Sequence, residues 1–528
     1  MPNAVREFVL DDEAAPGCDV LPAGDRRFAV AENGRSRTLR RTWLDTFDWR
    51  LFRAGLTLEL RSGRGGGELI LTGRGGEVVS SAPVGAAGRA AGHSGPPIRW
   101  PALVQELPIG PLREQLARVA GVRALLQVAR ATSVLTERRI VNTDDKTVAR
   151  LTVDRMAVTY PRPATPPARL AVTALRGYQV QAARLTDALQ TARGVSDALA
   201  TALESVLTAS GRKPGDYSSK IDVQLTASMP AALALSAVLG RLFDTAEVNV
   251  PGTIRDIDTE FLHDLRIAIR RTRSVLKTAA KVLPAAMVSQ YRPEFKWLGD
   301  LTTPTRDLDV YLLGYSSMAG KVLAATADEL LPFHQYLQQQ RGIAQRELAR
   351  GLRSARFSQL SAQWRQSLAH IAAAPPRRPQ TGKLAARQIA RAHQRVICDG
   401  SAITAASPPE SLHDLRKRCK ELRYLLEIFA SLHDPADQWQ AVNELKALQD
   451  CLGEFQDTEV QHAELRMFAA QMMADRSAPA TTLLAMGEIA GTLAVRQRRA
   501  RAEFADRFAE FASPRGLARI GALTPAAA

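Results

Sequence analysis

Apolar and polar residues alternate along this chain in two rhythms, and the change falls near residue 210. Before it, segments at residues 26–31, 38–44, 56–61, 68–72, 134–141, 147–153 and 169–175 alternate with a period of two. That period sends successive side chains to opposite faces of a strand. Gly-rich turns at 63–67 and 73–76 and a loose stretch at 85–97 separate the segments. Strands in such a series predict a seven- or eight-stranded antiparallel barrel. Residues 211–224, GRKPGDYSSKIDVQ, interrupt the apolar pattern and predict a linker. From 225 to 512 apolar positions recur every three to four residues, which predicts helices. The expected fold class is α+β in two domains: an antiparallel barrel over 1–210 and an all-α domain over 225–512, followed by a tail at 513–528.

The helical part repeats itself. Leu262-His263-Asp264-Leu265-Arg266 returns as Leu412-His413-Asp414-Leu415-Arg416, 150 residues later. The same offset pairs Arg241 with Arg391, Glu294 with Glu444, Lys296 with Lys446, Asp300 with Asp450, Asp307 with Asp457 and Val310 with Val460. Agreement at one fixed offset predicts two copies of one unit, about 225–374 and 380–512. Each supports about four main helices, and an approximate two-fold axis should relate them. The Pro-rich segment 375–379 marks their junction. Ser407, Pro408 and Glu410 predict a capping box before the second HDLR helix, and Asp256, Asp258 and Thr259 are alternative caps for the first.

At about 100° per residue, His263, Arg266, Arg270 and Arg273 project within an arc of roughly 80°. His413, Arg416, Lys420 and Arg423 stand at the same offsets in the second copy, and Leu265, Ile269, Leu276, Leu415 and Leu422 lie on neighbouring faces. One such stripe is usually a solvated face. The same stripe in two copies predicts a polyanion site, to which Lys277, Lys296, Lys446, Arg241 and Arg391 are added as candidates. Asp307 and Asp457 are expected to orient arginines or cap turns rather than bind metal, and Asp264 and Asp414 to point away from the anion and pair locally. No catalytic, cofactor-binding or metal-ligating residue is expected here.

Composition sharpens this. In 528 residues, 70 Lys and Arg face 54 Asp and Glu, for a net charge of +16. The excess favours an anionic partner: nucleic acid, polyphosphate or an acidic membrane surface. Aromatic residues make up only 5% and do not interleave with the stripes. That argues against single-strand nucleic-acid binding by stacking, and leaves duplex contact through phosphates open. Four cysteines without a CxxC pair suggest neither a zinc ribbon nor a disulfide framework and suit a reducing compartment. No signal-type segment and no run of about 18 apolar residues is found, so the expected location is the cytoplasm, without a membrane partner.

Two resemblances follow from particular residues. WLDTFDWRLFRAGLTLELR (43–61), VARLTVDRMAVTYP (148–161) and VTALRGYQVQAARLTDAL (172–189) resemble segments of the CYTH family of triphosphate tunnel metalloenzymes. That resemblance implies a closed β-tunnel and, in many members, metal-dependent cleavage of triphosphates. The family's opening ExExK strand is replaced by VREFVL (5–10), with Glu7 alone and no following Lys, and 169–176 carries no acid. A tunnel with arginines but without carboxylates is therefore expected, and no catalysis by it. LHDLRIAIRRTRSVLK and LHDLRKRCKELRYLLEIF look like the two signature helices of the CHAD family, and LGDLTTPTRDLDV (298–310) and LQDCLGEFQDTEV (448–460) like its second element. This resemblance, over about 225–512, implies two four-helix bundles, a basic groove, and binding of inorganic polyphosphate, often at polyphosphate granules. The expected function is non-catalytic polyphosphate binding. A metal-dependent triphosphatase or polyphosphatase, and a sequence-independent nucleic-acid binder, are the alternatives. The first copy has six basic residues against Asp264 alone over 261–281, whereas Glu421 and Glu427 interrupt the second, so the first is expected to bind more strongly.

Overall fold

The computed structural model describes residues 5–11, 28–31, 35–63, 66–84, 98–278, 280–374 and 379–524. The expected loose stretch at 85–97, residues 375–378 of the Pro-rich junction, residues 26–27, 64–65 and Cys18 lie outside the described residues. The chain divides into two compact units, Met1–Ser218 and Ser219–Ala528.

In the first unit ten strands form one antiparallel sheet. They are β1 (Val5–Leu10), β2 (Ala29–Val30), β3 (Arg35–Thr46), β4 (Thr57–Gly63), β5 (Gly66–Thr72), β6 (Val78–Val84), β7 (Leu125–Val141), β8 (Thr147–Tyr160), β9 (Ala168–Ala174) and β10 (Val195–Asp197). Their spatial order is β10-β1-β9-β8-β7-β3-β4-β5-β6, with β2 added on β7. Helices α1 (Arg50–Arg53), α2 (Pro111–Ala120), α3 (Gln179–Gln190) and α4 (Ala202–Ala209) accompany them. The expected seven- or eight-stranded barrel, and the closure that the resemblance implies, are corrected to an open sheet of ten strands: among the described residues nothing pairs β6 with β10. Val84 of β6 is buried in one apolar cluster with Leu112 and Leu116 of α2. Helix α2 thus packs against the side chains of the edge strand. Part of the expected linker is also packed. Tyr217 is buried with its ring centroid 4.4 Å from that of Phe47, and Trp49 Nε1 donates to Asp216 at 2.8 Å.

The second unit is helical: α5 (Ala231–Ile254), α6 (Thr259–Thr278), α7 (Ala285–Ala319), α8 (Leu331–Leu352) and α9 (Ala355–Ala373). A second set follows as α10 (Thr381–Ser401), α11 (Pro409–Ile428), α12 (Pro435–Ala474), α13 (Ala480–Phe511) and α14 (Pro514–Ala522). The four main helices of each copy are thus followed by a fifth. Serines cap both fifth helices: Ser354 accepts from the Phe357 N–H and Ser513 from the Gly516 N–H. The expected tail is therefore partly α14, held because Ile520 and Leu523 are buried in the main core.

The offset of 150 is a spatial operation as well as a sequence one. Ala231 N donates to Pro379 O at 2.9 Å, and the equivalent Thr381 N donates to Met229 O at 2.8 Å. Tyr311 donates its hydroxyl proton to the carbonyl of Gln461, its own counterpart, at 2.7 Å. Reciprocal contacts of this kind define a two-fold axis. Leu265, Ile269 and Leu276 of α6 share a single core with Leu415 and Leu422 of α11, so the two copies bury their apolar stripes against each other. At the helix starts, Asp258 caps α6, accepting from Glu260 N at 2.9 Å and Phe261 N at 3.2 Å. Ser407 does not cap α11 as expected. Its hydroxyl accepts from Thr404 N at 2.9 Å, and Pro408 takes the N-cap place.

Candidate functional site

The two HDLR helices face each other. Arg271 pairs with Glu427 at 2.5 Å, and Lys277 with Glu421 at 3.4 Å. Under the 150-residue offset each of these pairs is the mate of the other, with the charges exchanged. Copy one supplies both cations and copy two both carboxylates. The glutamates that interrupt the second stripe therefore lie against the partner helix and hold α6 to α11.

Two hollows run along this junction. One, of ≈ 510 Å³, has His263, Arg266, Thr303 and Arg306 on the first copy's side and Arg416 and Asp457 on the other. The other, of ≈ 670 Å³, is lined by Lys277, Arg292 and Lys296 opposite Lys417, Arg418 and Tyr424. Arg270, Arg273 and Lys420 line both, so the hollows are continuous as one cationic trough.

Each guanidinium is positioned differently. Arg266 donates to the hydroxyls of Thr303 at 2.7 Å and Thr302 at 3.3 Å, and Asp307 acts on its charge without a direct pair. Arg270 is exposed and lies 5.8 Å from the centroid of the Tyr424 ring. The exposed Arg273 passes over Gly299, where a Cβ would stand 2.7 Å from its Nη1; only glycine allows that approach. In the second copy Gln449 replaces Gly299 and accepts from Arg423 at 3.3 Å, while Glu427 accepts from the same side chain at 2.8 Å. Arg416 is tied to Asp457 at 2.8 Å. His413 pairs through Nδ1 with Gln456, the counterpart of Arg306. Among the described residues Arg266, Arg270 and Arg273 of the first copy thus make no ion pair, whereas Arg416 and Arg423 of the second are each held by a carboxylate.

Burial sets the titration of the trough. It depresses the His263 pKa, and Arg306 pushes it further the same way. Burial, then Arg416 and Arg270, lowers the Lys420 pKa to about 8. An anion in the trough favours the ammonium form, so affinity is full below that value and falls as pH rises through it. Titrations at fixed ionic strength are expected to show about a fivefold loss of anion affinity between pH 7 and 9. Lys420→Arg should flatten the curve. A flat wild-type curve would contradict the assignment.

Some candidates stand apart. Lys296, on the rim, pairs with Asp300 at 2.6 Å. Lys446, Arg241 and Arg391 are not among the residues lining either hollow, and Arg241 donates to Thr245 Oγ1 at 2.7 Å. Asp414 does not point away as expected: it lines the larger hollow, where Lys417 holds it at 3.0 Å and keeps its pKa below the usual carboxylate range. Asp264 is buried. Arg306, Lys417, Arg418 and Arg292 line the trough without having been singled out in the sequence. None has a basic counterpart in the other copy, so a search for matched cations passes over them.

The sheet unit has a cavity of its own, ≈ 1090 Å³, lined by Arg37, Arg41, Arg61 and Arg169 together with Glu7, Glu68 and Asp154. The expectation of a tunnel without carboxylates is corrected, because the acids come from strands β5 and β8 as well as β1. Arg41 donates to Asp154 at 2.7 Å and to Glu59 at 2.9 Å, and Arg169 to Glu7. Burial opposes the Glu59 charge, but Arg41 and Arg61 outweigh it and hold its pKa below the carboxylate range. A hard divalent cation needs several free oxygens, and here Glu68 and the buried, unpartnered Asp154 Oδ1 are the ones that guanidinium groups leave open. Guanidinium groups already engage Glu7, Glu59 and Asp154. Among the described residues no group of three or more His, Cys, Asp or Glu is placed to hold a metal.

A basic, two-fold repeated helical unit with HDLR helices at its centre defines a recognisable class. Residues 237–466, which include both HDLR helices, match the profile of the CHAD domain, so the helical unit carries a CHAD domain. Two solved structures are similar to the chain. The CHAD domain from the plant Ricinus communis shares 23% identity at a TM-score of 0.48, covering 55% of this chain and 96% of its own. PptA from Streptomyces chartreusis shares 18% at 0.41, covering 53% and 99%. Among curated proteins none matches. No helix among the described residues is long and apolar enough to cross a membrane.

Proposed function

We propose that the helical unit binds inorganic polyphosphate along the trough between α6 and α11 without chemically altering it. The observation that carries this is the shared row of Arg270, Arg273 and Lys420, fed from both copies and lining both hollows. Polyphosphate offers about one negative charge per phosphate and no bases to read. The matching site is a long row of guanidinium and ammonium groups, since guanidinium forks onto two phosphate oxygens. Each charge-assisted hydrogen bond contributes ~1.5–3 kcal/mol when well formed and less when exposed, so affinity accumulates along the polymer. His263, Arg266, Lys277, His413 and Arg416 complete the contact surface. Lys296 and Arg423 flank it, and Lys446, Arg241 and Arg391 add only to the surrounding field. The protein acts in the cytoplasm, on polyphosphate granules.

Nucleic acid fits less well. The aromatic rings in the trough are those of Tyr424 and Tyr311, and both are buried. Single-strand binders instead present open ring faces to stacked bases.

Single reversals test the reading. Arg270→Glu is expected to weaken polyphosphate binding about tenfold or more. Lys420→Glu, at the equivalent position, should cost less, because its ammonium is half-buried and partly neutralised. If neither changed the affinity, the trough would not be the site.

A further inference from the structure

We infer that Lys420 is an acyl-acceptor site served by acyl phosphates, and that its acylation loosens the trough's hold on polyanions; the second part rests on the polyphosphate reading. The geometry singles out this lysine. Lys277 is paired with Glu421, Lys417 with Asp414 and Lys296 with Asp300, and each carboxylate keeps its ammonium protonated. Lys420 makes no ion pair among the described residues. Asp457, the acid that acts on it electrostatically, is already held by Arg416. Around it stand Arg416 on its own helix and Arg270 and Arg273 across on α6; of the other acids lining the two hollows, Asp414 and Glu421 are paired with Lys417 and Lys277, and Asp307 and Glu464 line the smaller hollow.

Two consequences follow. The amine is lost from its protonated form at lower pH than an ordinary lysine, so more of it is nucleophilic near neutrality. The neighbouring guanidinium groups form a phosphate-binding pair beside it. An acyl phosphate, a mixed carboxylic–phosphoric anhydride, carries an activated carbonyl carbon two bonds from phosphorus. Arg416 and Arg270 line the same hollow as Lys420, so a phosphate held on them brings that carbon towards Nζ. The Nζ lone pair attacks the carbonyl carbon, and the tetrahedral adduct collapses. The C–O bond to phosphate breaks, and phosphate leaves with the electron pair while still held by the arginines. The surplus proton on nitrogen passes to the departing phosphate or to water. The products are an amide and inorganic phosphate, and the trough has lost one positive charge at the point where its two hollows join.

The test uses the full chain with acetyl phosphate at pH 7.5 and no polymer, and follows each lysine by mass spectrometry. Lys420 is expected to be acetylated about tenfold faster than Lys417 or Lys277. p-Nitrophenyl acetate, which carries no phosphate, should show a much smaller preference. Equal rates at Lys420 and Lys417 with acetyl phosphate would overturn the proposal, as would an equal preference with the phosphate-free ester. Adding long-chain polyphosphate should protect Lys420. Selective acetylation without such protection would uphold the acceptor site and count against the polyphosphate reading alone.

Discussion

Arg266→Glu combined with Arg416→Glu is expected to abolish polyphosphate binding, lowering affinity at least about a hundredfold at physiological salt. The two positions are counterparts in the repeat and line the same hollow. The change removes two fork-shaped donors and places two carboxylates close to Asp307 and Asp457, which already line it. The fold should tolerate the exchange. Arg266 bonds only to threonine hydroxyls, and Arg416 only to a carboxylate that is itself 62% exposed. Isothermal titration together with thermal melting separates the outcomes. Retained binding with a retained melting curve would remove these residues from the site.

The second large effect concerns stability. Glu421→Arg is expected to destabilise the helical unit by about 1–3 kcal/mol, because it sets a cation at a nearly buried position among three partly exposed cations that lose their shared counter-charge. Glu421 is 10% exposed at its side chain and holds Arg395 at 3.2 Å and Lys277 at 3.4 Å, with Arg418 at 3.9 Å. The substitution adds positive charge beside the trough. An account in which only charge number matters would predict tighter anion binding and unchanged melting. Chemical denaturation of the full chain, followed at the helical transition, decides between them.

These two residues also show how far the sequence carries. The helices, their repeat and the cationic stripes were legible because amphipathic periodicity and a fixed offset are properties of the chain itself. The role of Glu421 was not legible. Along the sequence it is an interruption in a basic stripe, and only the apposition of α11 with α6 gives it Lys277 as a partner. Arg306 escaped for the opposite reason. It lies in the quoted 298–310 element beside Asp307, yet its counterpart is Gln456, and a comparison between copies discards unmatched residues. The asymmetry between the copies was anticipated from net charge. The copies also differ at Gly299, over which Arg273 passes, and its counterpart Gln449, which accepts from Arg423.

In the sheet unit, alternation found most of the strands but not how they end. β6 contains Pro83 and begins with two exposed valines, so its pattern is weak, and nothing local reveals that α2 covers it. Asp154, which lines the cavity, and Glu59, which accepts from Arg41, were not legible as site residues because they sit within strands that read simply as alternating. Their convergence on Arg41 is a product of sheet order, β8-β7-β3-β4, which no local pattern encodes.

The most direct test of the account is a comparison of polymers. Binding of long-chain polyphosphate, single-stranded RNA and duplex DNA to the wild-type chain is measured at matched charge concentration across a salt series. The account predicts that polyphosphate binds most tightly at physiological salt and retains its lead as salt rises, because guanidinium forks fit its phosphates without bases in the way. Equal affinity for the three polymers, falling together with salt, would contradict it and reduce the trough to a surface of general positive charge.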